Sequence, residues 1–405
     1  MKMSEVNKTD LSPMMQQYMD IKEQYKEELL FFRLGDFYEL FFEDGIIASR
    51  ELELTLTGKN AGLKERIPMC GVPFHSVNPY IEKLVDKGYK VAICEQLEDP
   101  KNTKGMVKRG VVEVISKGTV VNLELLNEHD NNYIASVIDF EYLYMLTVAD
   151  ISTGELKSLS IPHHKDKLLN EILHLNIKEV ILENNEDIEL ITMLKDNYGV
   201  EISISDNYLT EGYEELLNST DEPRVKQGIR HLLYYLVVRE LKDLRHISHV
   251  EIIDKNDFLE MDVHTVRNLE LVLTLRLHER TFSLLWLLDK TKTAMGSRKL
   301  KTWLLNPLRN KEEIEERYKK LEVLNNEFIL KDELRDLLFE IYDLERLCAK
   351  VMCGNLNARD LLQIKNSLSV LPRVKDIIKD LGFSYNVNSH SDLFNLLESS
   401  MKIPL

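Results

Sequence analysis

The chain has 405 residues, 44% of them hydrophobic, which is room for roughly two to four domains of ordinary size with real cores. A formal net charge of −16 excludes a protein whose whole surface binds nucleic acid, because duplex binding needs Lys and Arg to displace phosphate counterions. Four cysteines, widely separated except for Cys348 and Cys353, exclude a disulfide framework and a four-ligand zinc site and read as buried free thiols.

The first 13 residues are polar and lack a positively charged segment followed by an apolar run, so no secretory signal is read there. From residue 12 to about 117, helical patterns alternate with short strand-like runs at 29–34, 89–93 and 110–115, punctuated by Gly58, Gly71, Gly88 and Gly110; this predicts an α/β domain. After the first of these runs, Gly35 and Asp36 break the strand, and Asp36 is placed to cap a helix opened by Phe37. Two readings fit that spacing. Asp36 and Glu39 can form a capping box with Phe37 packed into the core, or the junction can push Phe37 outward. Further on, residues 101–110 carry Lys101, Lys104, Lys108 and Arg109 with no acid, a solvated face or a phosphate-contacting one.

A second α/β unit begins near Asn132. Residues 133–138 and 143–151 predict a hairpin, 166–175 a helix, 179–182 a strand, 188–198 a helix and 200–204 a strand. After about Gln227 the period becomes 3.6 and stays helical, with Pro307, Gly354, Pro372 and Gly382 as punctuation. Asn310 and Glu313 form a capping box ahead of a helix from 311 to about 326, and 357–371 and 392–401 predict later helices. The apolar stretch at 269–288 is interrupted by Arg276, His278, Glu279 and Arg280, which rules it out as a membrane span, and the protein reads as cytoplasmic. The acidity is local: residues 119–260 hold 12 Lys and Arg against 28 Asp and Glu, while residues 1–118 hold 17 against 19 and residues 261–405 hold 23 against 21. The middle segment is therefore the part kept off DNA.

Several strings occur in one order: Pro13-Met14-Met15-Gln16-Gln17-Tyr18, Gly35-Asp36-Phe37-Tyr38-Glu39-Leu40-Phe41, Ile67-Pro68-Met69-Cys70-Gly71-Val72-Pro73-Phe74-His75, Val91-Ala92-Ile93-Cys94-Glu95-Gln96 and Lys117-Gly118-Thr119. Downstream come Arg267-Asn268-Leu269-Glu270, Leu285-Trp286-Leu287-Leu288-Asp289, Met295-Gly296-Ser297-Arg298, Asp343-Leu344-Glu345-Arg346 and Asn357-Ala358-Arg359-Asp360. Together they resemble the N-terminal part of the MutS family of bacterial DNA mismatch-recognition proteins, over almost the whole chain. The resemblance implies a multidomain fold: an α/β mismatch-binding domain at 1–118, an α/β ribonuclease-H-like connector at 126–260, and the truncated start of an all-α core and lever region at 262–405.

It also implies a chemistry. A mismatched base stacks poorly, so a duplex kinks more easily there, and an apolar wedge pushed in from the minor groove pays less to unstack such a step. By resemblance Phe37 is the wedge and Glu39 contacts the displaced base. That contact needs a shared proton or a base N–H donor, and the carboxylate, repelled by phosphate, disfavours resting on perfect duplex. Lys59, Arg66, His75, Lys101, Lys104, Lys108 and Arg109 are candidates for backbone contacts that position without specifying. Arg298 and Arg359 look like interdomain ion-pair residues.

The family continues into clamp and ATPase regions, whereas no Gly-x-x-x-x-Gly-Lys-Ser/Thr loop occurs here. The chain is thus expected to be a fragment, a truncated product or one piece of a split protein, with no catalytic residue, metal or cofactor of its own; ATP and Mg2+ belong to full-length members. Expected partners are double-stranded DNA with mismatches or small loops, a second copy in the full-length form, and downstream mismatch-repair proteins, in a bacterial, nucleoid-associated setting without a membrane. Two other readings remain open: a metal-dependent nuclease using Asp139, Asp150 and Glu183 at strand ends, and a scaffold fragment that does not bind DNA.

Overall fold

A computed structural model describes residues 3–98, 105–121, 126–184, 188–354 and 356–401. Its strands are β1 (Leu29–Leu34), β2 (Phe37–Phe41), β3 (Thr57–Lys59), β4 (Ile67–Pro73), β5 (Val91–Gln96), β6 (Arg109–Ile115), β7 (Ile134–Asp139), β8 (Leu143–Asp150), β9 (Glu155–Pro162), β10 (Glu179–Leu182), β11 (Glu201–Ile204) and β12 (Glu251–Ile253). The chain divides into two compact units: residues 1–120, 178–212 and 229–243 form unit one, and residues 121–177, 213–228 and 244–405 form unit two.

Unit one is built on a mixed sheet in the order β3-β4-β2-β1-β5-β6. β1 lies at its centre, antiparallel to β2 and parallel to β5. The continuous apolar run of β1 follows from burial on both faces. Leu30 and Phe32 pack with Met15 and Tyr18 of the helix Pro13–Lys22, while Leu29 and Phe31 pack with Ala48 and Leu52 of the helix Phe42–Leu52 and Leu84 of the helix Asn78–Asp86. Each fully buried Phe or Leu there contributes about 1.5–3 kcal/mol. β10 and β11 add a parallel pair to the unit.

In unit two, β7, β8 and β9 form an antiparallel meander and β12 joins β9 in parallel. The expected β7–β8 hairpin is present, with Asp139 opposite Tyr144. β9 and β12 were not foreseen, and β12 corrects the expectation of unbroken helix after Gln227. The C-terminal region is helical, including Ala294–Leu305, Lys311–Asn326, Phe328–Phe339, Leu344–Met352, Ala358–Asp380 and Ser391–Ser400. Asn310 caps the second of these by accepting from the Glu312 and Glu313 backbone N–H groups. Pro372 does not end a helix as expected: it sits inside Ala358–Asp380, whose N-terminus carries a full capping box between Asn357 and Asp360.

Arg298 is a buried ion-pair residue, held by Asp343 and Glu345 and donating to the Glu128 carbonyl oxygen. Arg359 is exposed and forms no ion pair among the described residues, contrary to the expectation for it. The second buried arginine there is Arg346, bonded to the carbonyl oxygens of Asn127 and Asp130 and 3.9 Å from the Asp343 carboxylate. Cys70 and Cys94 are buried free thiols, whereas Cys348 is exposed and Cys353 half-buried, because both fall on or just after the outer side of the helix Leu344–Met352. No described helix is long and apolar enough to cross a membrane.

Candidate nucleic-acid interface

Gly35 and Asp36 form a two-residue turn between β1 and β2, with Leu34 paired to Phe37 across it and Gly35 at a φ of +59°. That left-handed backbone suits glycine. The helix expected to open at Phe37 is therefore a strand, and the helix starts only at Phe42. The physical reason lies in the alternation. Tyr38 and Leu40 feed one core face, Phe41 feeds the other, and an aromatic-rich segment after a Gly-Asp turn gains more from strand pairing than from capping. With β2 extended, the Asp36–Glu39 capping box does not exist.

Strand geometry puts Phe37, Glu39 and Phe41 on one face of β2. Along that face burial falls steadily: Phe41 is fully buried, Glu39 partly, and Phe37 is 47% exposed at the turn. Glu39 lies opposite Gly71 of β4, where an added Cβ would come within 3.2 Å of the Tyr38 carbonyl oxygen and into contact with the Glu39 Cγ at 3.5 Å, so glycine lets the two strands lie close. The Glu39 carboxylate is ion-paired with Lys59 of β3, whose ammonium also lies 5.6 Å from the Phe41 ring centre.

A second exposed aromatic stands beside the turn. Phe74, 39% exposed, has its backbone N–H bonded to the Asp36 carbonyl oxygen at 3.0 Å, and the Arg33 guanidinium sits over its ring at 3.6 Å. Arg33 is further tied to Glu95, which also accepts from the Tyr38 hydroxyl. Sequence reasoning missed Phe74 and Arg33; the signal was Phe74 directly after Pro73, at a strand end facing the turn. Their stack braces the base of the exposed tip.

The candidate backbone contacts separate into groups. Arg66 and His75 are exposed, and His75 meets Phe74 edge-on at 5.8 Å. Lys59 is engaged with Glu39. Lys108 is exposed, but Arg109 points inward: it donates to the Arg33 and Val107 carbonyl oxygens and to Gln17, and lies 5.2 Å from the Phe32 ring centre. Arg109 is thus engaged within the fold. Lys101 and Lys104 lie outside the described residues.

Within unit two, the carboxylates Asp139 and Asp150 of the nuclease reading do not converge. Asp139 is opposite Tyr144 while Asp150 lies six residues further along β8, about 20 Å away at strand spacing. Each is also occupied: Asp139 with His163, and buried Asp150 with Asn131, the Asn132 backbone N–H and Ser152. Glu183 accepts from the Tyr208 hydroxyl. Among the described residues no group of three or more His, Cys, Asp or Glu side chains is arranged to hold a metal.

Comparison with known proteins agrees with the architecture. Residues 12–124 match the model of MutS domain I, residues 132–227 that of MutS domain II and residues 264–403 that of MutS domain III. The DNA mismatch repair protein MutS of Bacillus thuringiensis (strain Al Hakam) and that of Bacillus cereus (strain B4264) are each 44% identical over 379 residues, covering 93% of this chain and 43% of the relative. The MutS of Bacillus anthracis (strain CDC 684 / NRRL 3495) is equally similar, with 42% of its length covered. The chain thus spans less than half the length of these relatives. Two mixed α/β sheets followed by a helical region, matched in order by three domain models, show that the chain belongs to the MutS family of DNA mismatch repair proteins and corresponds to its N-terminal region, domains I to III.

Proposed function

We propose that this chain recognises mismatched or looped DNA, with Phe37 as the wedge and Glu39 as the contact to the displaced base. The observation that carries the reading is the exposed Phe37 ring at the tip of the β1–β2 turn, on the same strand face as Glu39. A ring of that size left 47% in solvent gains little from the fold, and insertion into a weakened base step gives it apolar contact. Arg66, His75 and Lys108 are the exposed candidates for phosphate contact, and Lys59 becomes one when it leaves Glu39. In this reading residues 1–118 bind the mismatch, 126–260 connect, and 262–405 begin the helical core. The chain itself performs no phosphoryl chemistry; ATP with Mg2+, pairing with a second copy and contact with downstream mismatch-repair proteins belong to longer members of the family.

The test is a titration of homoduplex against duplex carrying a G·T mismatch or a one-base loop, at fixed ionic strength, for the unmodified chain and Phe37→Ala. The unmodified chain is expected to prefer the heteroduplex. Phe37→Ala is expected to lose that preference while its unfolding free energy changes by less than about 1 kcal/mol, as for a side chain with few buried contacts. An equal affinity of the unmodified chain for both duplexes would leave the scaffold reading in its place.

A further inference from the structure

Unit two contains a cavity of about 310 Å³ that no part of the mismatch reading uses. It opens between strands β9 and β12, the segment just before β7 (Asn131 and Tyr133) and the helix Ala294–Leu305. Its volume suits one small ligand. Leu159, Ile253, Phe258 and Leu308 give it apolar walls.

The charged groups in its lining fall into two classes. Lys157, Lys255 and Lys301 are already matched, to Glu155, Glu171 and Asp130. Lys299 and Arg317 have no carboxylate partner among the described residues, and both gather at Trp303. The Arg317 guanidinium lies flat on the indole, 3.8 Å from its ring centre, and Lys299 precedes Trp303 by four residues, on the same helix face. Two carboxylates, Glu251 and Glu313, also line the cavity and likewise form no ion pair among the described residues. A ligand that satisfies the whole lining therefore carries an anionic head and also N–H donors.

The same cavity holds a polar group that the fold leaves unsatisfied. His174 is 9% exposed, and neither of its ring nitrogens reaches a partner in hydrogen-bond geometry, although Asn306 and the Leu305 backbone lie beside it. Burial, and then the nearby Lys255 charge, hold its pKa below the ordinary histidine value, so the ring is neutral and offers one donor and one acceptor. Buried polar groups without partners are uncommon because nothing repays their lost hydration. A bound molecule would supply what is missing.

We propose that this cavity is a binding site for a small nitrogen heteroaromatic bearing a single phosphate or carboxylate, with the head between Arg317 and Lys299 and the ring's polar edge toward His174 and Glu251. A nucleoside monophosphate and a heteroaromatic acid share this chemistry. The experiment is a 15N-resolved NMR titration of the Trp303 indole N–H in the whole chain, with AMP and indole-3-acetate as the two sources, and with adenosine and inorganic phosphate as the halves of the pharmacophore. At least one of AMP and indole-3-acetate is expected to shift the Trp303 signal saturably, at least tenfold more tightly than adenosine or phosphate. Lys299→Gln at an exposed position and Arg317→Gln at a half-buried one are expected to weaken that binding about tenfold each without altering the fold. Phe37→Ala is expected to leave it unchanged, which separates it from DNA binding. The proposal is overturned if phosphate alone binds as well as the tighter ligand, if adenosine does, if neither compound saturates below 10-millimolar order, or if Arg317→Gln binds unchanged.

Discussion

The Glu39 carboxylate is held by the Lys59 ammonium, twenty residues away in sequence and two strands away in the sheet. That pairing changes what substitution at Glu39 means. As a purely structural ion pair, its side chains only 28% and 16% exposed, it stabilises the fold by on the order of 1 kcal/mol, since desolvation offsets much of the attraction. As a discriminator, Glu39 must give up Lys59 to meet a displaced base, and Lys59 is then free to approach phosphate. In that proposed role, perfect duplex offers no displaced base, and the carboxylate would stay close to phosphates that repel it. Glu39→Gln is therefore expected to bind homoduplex more tightly, to lower the heteroduplex-to-homoduplex affinity ratio and to leave the melting temperature almost unchanged. Binding isotherms on both duplexes at matched salt, with a thermal melt of the same preparation, check it. An unaltered ratio would reduce the pair to a structural one.

At the scale of elements, the helix Phe42–Leu52 springs directly from β2, and Gly45 in its first turn permits the close approach. A Cβ at Gly45 would come 2.7 Å from the Leu40 carbonyl oxygen and 3.4 Å from the Met69 Cα, both backbone atoms that do not rotate away. Intrinsic propensity favours Ala over Gly in a helix by about 1 kcal/mol. Overpacking against backbone costs about 1–3 kcal/mol. Gly45→Ala is thus expected to lower the urea midpoint of unfolding despite its better propensity, and an unchanged or higher midpoint would mean that the helix shifts cheaply. The strand β1 and the β7–β8 hairpin were legible in the sequence because an apolar run and two alternating segments around a polar turn leave no other economical reading. β2 was misread because Asp36 and Glu39 imitate a helix start while the pleat decides otherwise. β9 was invisible for another reason: Lys157 and Ser158 are both buried within it, so its polar pattern does not alternate with exposure. Phe37 and Glu39 could be singled out by resemblance, but the Lys59 partnership and the Arg33–Phe74 stack could not, since both depend on which strands become neighbours.

On the scale of the whole molecule, unit one is assembled from segments far apart in the chain, and a buried carboxylate joins them. Glu179 of β10 accepts from the Ser116 hydroxyl, from the Gly118 backbone N–H at 3.2 Å, from the Ser203 hydroxyl at 2.6 Å and from the Tyr235 hydroxyl at 2.9 Å, with the Lys90 ammonium 3.7 Å away. Glu240, also buried, accepts from the Thr119 hydroxyl at 3.3 Å, and its backbone carbonyl oxygen accepts from the Val114 N–H. Burial, and then the Glu179 charge, push the Glu240 carboxyl up to about 7, against the opposing pull of Lys242 and Lys90. A carboxyl whose folded pKa is raised binds its proton more tightly in the folded state. Its contribution to stability is full below the unfolded value near 4.5 and is lost as pH rises toward 7. Between pH 5 and 8 the loss from this one group is on the order of 2 kcal/mol. Glu240→Gln keeps the shape and a hydrogen-bonding side chain but cannot ionise, so its unfolding free energy is expected to fall less over that range than that of the unmodified chain. The difference between the two proteins should accumulate mainly from about pH 4.5 to 7 and level off above it. Urea unfolding at pH 5 and pH 8, at constant ionic strength, measures this directly; curves that run parallel for the two proteins would show that Glu240 stays ionised in the fold and that Lys242 and Lys90 outweigh its burial.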